Sequence, residues 1–317
     1  MTPMGRTPLL LAPLLVACSA LAPVACSSGG SDAGGSSGSS SSSGAFGGKD
    51  GGGQSFGDGG GGSGECSDST KLIYVITDQS ALVSFKPETA TFTQIGLIGC
   101  PAGTATPTSM AVDRAGTAWV RYSDGSLNKV STKTAACQAT KFEVGQLGFL
   151  QFGMGYSTNG ASGSAETLFL SDSLGGKGLA TLDIGTLKLS QVGPFDGAVA
   201  GRSAELTGTG DGRLYGLFTT SPVQIGEIDK SNGHVISTAE VKDTFAGSAW
   251  AFSFYGGDFY VYTAPDPGGL PKDQRGSKVT RYRPSDKSVT VVNAALSFRI
   301  VGAGVSTCAP TTALRWV

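Results

Sequence analysis

The side chains best equipped for chemistry in this chain are few and far apart. His234, in the turn Ser231-Asn232-Gly233-His234, is its only histidine. An imidazole titrates near neutral pH and serves as base or metal ligand, but a zinc centre needs several such ligands and no second histidine exists to help. Gly208-Thr209-Gly210-Asp211-Gly212 is glycine-rich, yet it lacks the lysine and the strand-to-helix setting of a phosphate cradle and reads as a hairpin turn. No Gly-x-Ser-x-Gly elbow occurs, and no spaced run of oxygen ligands of the kind that holds calcium is present. Carboxylates are the remaining route to catalysis, because two of them about 5–10 Å apart can cleave a glycosidic bond. Asp113, Glu205 and Asp211 lie beside segments that would line an axis or its rim. Asp113, next to Arg114, and Asp211, between glycines, also suit hairpin turns. No catalytic constellation, metal site or cofactor motif follows from these residues.

The elements that would position them repeat along the chain. From Lys71 onward an aromatic residue recurs inside a short apolar run: Leu72-Ile73-Tyr74-Val75, Ala118-Trp119-Val120, Leu168-Phe169-Leu170, Leu214-Tyr215-Gly216-Leu217 and Phe259-Tyr260-Val261-Tyr262. Successive aromatics stand about 45–50 residues apart, the period of a four-stranded propeller blade. Gly116, Gly212 and Gly257 each precede an aromatic by three residues, where a hairpin needs a tight bend. Downstream of the aromatics come second strands with polar turns, such as Leu179-Ala180-Thr181-Leu182-Asp183 before Ile184-Gly185-Thr186. Upstream of four of them lies a small-residue segment suited to an innermost strand: 109–112, 151–154, 204–207 and 251–254.

The first unit lacks such a segment, and the chain supplies one at its far end, in Phe298 to Val305. The fold expected is therefore all-β: a five-bladed β-propeller of four-stranded antiparallel blades, closed by pairing of the N- and C-terminal strands. Closure would cover the apolar face and strand edges that an open stack leaves exposed. It would also bring Cys66, before the first unit, near Cys308, after the closing strand, so these are expected to form a disulfide. Cys100, after the last strand of unit one, and Cys137, before the last strand of unit two, suit a second bridge between neighbouring blades. The two pairs account for every cysteine in the domain. The repeat resembles the generic propeller repeat shared by the quinoprotein-like and YVTN-type families. That resemblance implies an architecture and not one activity; the catalytic and cofactor residues of those families have no counterparts here.

Residues 1–17 form an export signal, with Arg6 ahead of an apolar stretch from Leu9 to Ala17. Leu15-Val16-Ala17-Cys18 resembles the lipobox of bacterial lipoproteins, which implies a lipid on Cys18; Val24-Ala25-Cys26 is an alternative, with Pro23 where the pattern wants leucine. The serine after either cysteine points to the outer membrane under the enteric sorting rule, and simple secretion is the alternative location. Residues 18–65 are a tether. From Ser27 to Glu65 they are almost entirely Gly and Ser, too poor in apolar surface to fold, with a coil reach of roughly 30–40 Å. The propeller occupies 66–317. A net charge of −1 with only 15% charged residues leaves no basic footprint for nucleic acid. The expectation is a monomeric cell-envelope lipoprotein, bound to the membrane through its lipid, that presents the propeller as a binding or scaffold module for a glycan, a peptide or a protein. The alternative is a carbohydrate-active hydrolase using channel carboxylates.

Overall fold

The computed structural model describes residues 66–312 apart from Ser162, Gly175, Lys272 and Asp273. The expected export signal, with Cys18 and Cys26, and the expected tether lie outside the described residues. Among the described residues twenty strands form five antiparallel sheets of four. Blade I holds β1 (Ile73–Thr77), β2 (Ala81–Lys86) and β3 (Thr91–Leu97). Blade II is β4 (Pro107–Val112), β5 (Thr117–Tyr122), β6 (Leu127–Ser131) and β7 (Cys137–Ala139). Blade III is β8 (Phe152–Thr158), β9 (Glu166–Asp172), β10 (Leu179–Asp183) and β11 (Lys188–Gly193). Blade IV is β12 (Ala204–Gly208), β13 (Leu214–Phe218), β14 (Gln224–Ile228) and β15 (Val235–Glu240). Blade V is β16 (Ala249–Tyr255), β17 (Asp258–Ala264), β18 (Lys278–Arg283) and β19 (Ser288–Asn293). The last strand, β20 (Ile300–Val305), returns to blade I and pairs with β1, Ile73 opposite Val305. The ring is a closed five-bladed propeller.

The apolar side chains explain the closure. Strand residues alternate between the two faces of a sheet, and here both faces are covered, so β1, β13 and β20 read as nearly continuous apolar runs rather than alternating ones. Tyr74 and Ile76 face blade II, packing with Met110, Val112 and Val120. Ile73 and Val75 face the other way, with Tyr260, Tyr262, Ala303 and Val305. Five such layers separate the five blades, and each contains one of the five repeat aromatics. The second strand of every blade thus hands a large ring to a neighbour, which is why that position stands out in the sequence. Gly116, Gly212 and Gly257 have φ of +82°, +88° and +84°, as their hairpins require.

The inner strands β20, β4, β8, β12 and β16 approach one another closely. A Cβ at Gly153 would collide with the Ala204 carbonyl and the Glu205 backbone of the next blade, so β8 can carry no side chain there. Cys66 is bonded to Cys308, and Cys100 to Cys137. The first bridge ties the chain entry to the segment after β20; the second ties the end of blade I to the outer strand of blade II.

Candidate functional site

Glu205 is the second residue of β12, between Ala204 and Leu206, which both pack into the apolar layer against blade III. Strand alternation turns its side chain away from that layer. Its Oε2 accepts a hydrogen bond from Ser109 Oγ of β4 at 2.9 Å, and its carboxyl also takes the backbone N–H of Met154 in β8. One carboxyl therefore joins inner strands of three blades. Burial pushes its pKa up to about 8, against the opposing pull of Arg121. Arg121 itself is only 2% exposed. Its Nη1 donates to Thr108 Oγ1 at 2.6 Å, its Nη2 donates to the Leu150 carbonyl, and its guanidinium carbon lies 5.2 Å from the Phe152 ring centre. A carboxylic acid kept neutral near pH 7 has the proton affinity of a general acid, but this one is buried and occupied by strand contacts.

A second cluster lies beside the β4–β5 hairpin. Asp113 accepts the Thr117 N–H at 2.8 Å and caps its own turn; burial raises its pKa. Glu166, at the start of β9, accepts from the Arg114 backbone N–H and from Thr307 Oγ1, each at 2.8 Å. Arg114 Nη1 donates to Thr307 Oγ1 at 3.1 Å, and Nη2 to the Cys66 sulfur at 3.2 Å. Glu166 thus clasps a blade II hairpin to the segment that follows the closing strand. Burial, reinforced by the Asp113 charge, pushes its pKa up to about 7.

The third site is a cleft between blades IV and V, with a cavity of about 260 Å³. Its rim carries Asp211, whose carboxylate accepts the Thr209 hydroxyl, and Arg213, which holds Glu227 through Nε and Nη2 at 2.9 and 2.7 Å. The Arg213 guanidinium carbon lies 5.0 Å from the Tyr215 ring centre. Behind it, Tyr215 meets Phe259 edge-on at 4.8 Å, and Phe254 lies at 6.2 Å. Tyr282 completes the aromatic wall, and Ser237 and Thr238 of β15 form the outer one. Among the described residues neither the Tyr215 nor the Tyr282 hydroxyl has a hydrogen-bond partner.

The three carboxylates singled out from sequence fall in three different places: Glu205 among the inner strands, Asp113 in a hairpin, Asp211 at the cleft. Glu166, Arg121 and the Arg213–Glu227 pair carry no sequence signal of their own, because each gains its role from a distant segment. His234 is exposed and shares a hydrogen bond with Asp196 at 2.5 Å. Among the described residues no three His, Cys, Asp or Glu side chains group as metal ligands would.

No protein-family model matches the chain, and no curated protein matches it. Solved structures do. A luciferin-regenerating enzyme is 14% identical over 73% of this chain and 93% of its own, with a TM-score of 0.44. Regucalcin, a calcium-binding protein from Agrobacterium tumefaciens, is 13% identical over 73% of this chain and 76% of its own, with a TM-score of 0.42. The WD40 domain of Neurospora crassa Pan2 is 10% identical over 71% and 63%, with a TM-score of 0.40. These likenesses concern the β-propeller fold alone.

Proposed function

We propose that this protein is a cell-envelope lipoprotein, acylated on Cys18, whose tethered propeller is a binding module with its ligand site in the cleft between blades IV and V. The two disulfides fit an oxidising, extracytoplasmic compartment. One observation carries the binding reading: the buried Glu205 and the half-buried Glu166 are spent holding strands and turns together, while the polar groups of the cleft border a cavity. Pockets that mix aromatic walls with a few convergent polar groups are the usual form of a ligand site. A hydrolase would instead need a carboxylate pair free to act on substrate, whereas the two that line the cleft are engaged, Asp211 with Thr209 and Glu227 with Arg213.

The anchor is read by the mass of the N-terminal peptide, with an acyl increment on Cys18; an increment on Cys26 would move the site. Binding is tested by titrating the full chain with envelope glycans and peptides, beside Ser237→Trp, which fills the cleft from an exposed outer-strand position, and Thr93→Trp on blade I as control. A ligand that binds without turnover, is lost in Ser237→Trp and is kept in Thr93→Trp is the expected result. Turnover abolished by Asp211→Asn would establish the hydrolase instead.

A further inference from the structure

We infer that the blade IV–V cleft takes an uncharged saccharide unit; this rests on the proposed binding role and names the ligand class for the same site. The cleft is chemically mixed in the way a sugar is. A pyranose ring offers apolar C–H faces and a rim of hydroxyls that both donate and accept. The cleft offers aromatic carbon from Tyr215, Phe254, Phe259 and Tyr282, with hydroxyl and carboxylate groups around it. Tyr215 and Tyr282 present phenols with no partner among the described residues, free both to donate and to accept.

Charge narrows the class. Arg213 is the cation at the rim, and its fork is already closed on Glu227 by two hydrogen bonds, which leaves no cationic fork for a phosphate or a carboxylate. Asp211 adds negative charge beside it, so an anionic ligand meets repulsion. An extended peptide would gain most by adding a strand to a free sheet edge. The walls here are side chains of β13 to β18; of these strands β15 and β16 end their sheets, and β16 packs against β12 and β20, so a peptide adding a strand would lie along the outer edge of β15 and not in the cleft. Size agrees, since about 260 Å³ admits a short saccharide and not a folded partner.

Three variants of the full chain test the class: Tyr282→Phe, which removes one hydroxyl and nothing else; Glu227→Gln, which keeps the shape but weakens the hold on Arg213; and Ser237→Trp. Each is applied with wild type to an array of neutral and acidic oligosaccharides and to a peptide array, and each is first checked for an unchanged melting curve. The expected result is a neutral oligosaccharide bound by wild type, weakened at least tenfold in Tyr282→Phe and in Glu227→Gln, and lost in Ser237→Trp. A peptide or an acidic glycan lost in Ser237→Trp would overturn the saccharide assignment and leave the binding role standing. A ligand held equally by wild type and Ser237→Trp, or no ligand on either array, would overturn both.

Discussion

Truncation after Leu296 is expected to unfold the propeller, although it removes only the last twenty-one residues. Those residues include β20, whose Ile300, Ala303 and Val305 are buried in the layer between blades V and I. Without them β1 loses its inner partner, and the apolar side chains of Ile73 and Val75 face water. A propeller avoids that exposure only by closing on itself. The same joint is held covalently by Cys66–Cys308, across a sequence separation of 242. In the chain-entropy description such a loop contributes about 5 kcal/mol, so Cys308→Ser alone should lower the melting temperature by roughly 10–20 °C. Circular dichroism and scanning calorimetry on both variants read the two effects. A truncated chain that melts cooperatively near wild type would show that β20 is dispensable and that the ring is not held by closure.

The second large effect is a dependence of stability on pH that runs opposite to most carboxylates. A glutamate whose folded pKa is raised binds its proton more tightly in the fold than in the unfolded chain. Its contribution is therefore complete below the unfolded value near 4.5 and is lost as pH rises through the folded value, about 8 for Glu205. Glu166, pushed up to about 7, acts in the same direction over a narrower range. At about 1.4 kcal/mol per pH unit, Glu205 alone should cost the fold on the order of 3–5 kcal/mol between pH 5 and pH 9. Glu205→Gln keeps the acceptor for Ser109 and Met154 and cannot ionise. Wild type should lose roughly 10 °C of melting temperature over that range, while the variant loses much less and is the more stable protein at pH 9. Parallel pH profiles would mean that Glu205 is ionised in the fold and held by Arg121.

The fold was legible because a propeller repeats one solution five times. Tyr74, Trp119, Phe169, Tyr215 and Tyr260 each fill an equivalent inter-blade layer, and Gly116, Gly212 and Gly257 mark the matching hairpins. The missing first strand and the surplus last one then force closure, and the cysteine positions follow from the same geometry. The sites were not legible for the opposite reason: they depend on what is not repeated. Ala-Glu-Leu-Thr in β12 has the alternation of a half-exposed strand, yet Glu205 is 7% exposed because inner strands of other blades cover it. Arg121, in Trp-Val-Arg-Tyr, is buried for a related reason, under the Leu150 carbonyl of the next inter-blade crossing. The cleft draws on residues from Thr209 to Thr311, no two segments of which announce one another.

The central claim, that ligand enters the cleft between blades IV and V and not the strand core, is tested most directly by hydrogen–deuterium exchange of the full chain with and without the bound saccharide. Protection is expected in β13 to β15 and in β17 and β18, with the peptides covering Ser109, Met154 and Glu205 unchanged. Protection confined to those inner-strand peptides, with the cleft strands exchanging as in the free protein, would place the ligand at the axis and contradict the assignment.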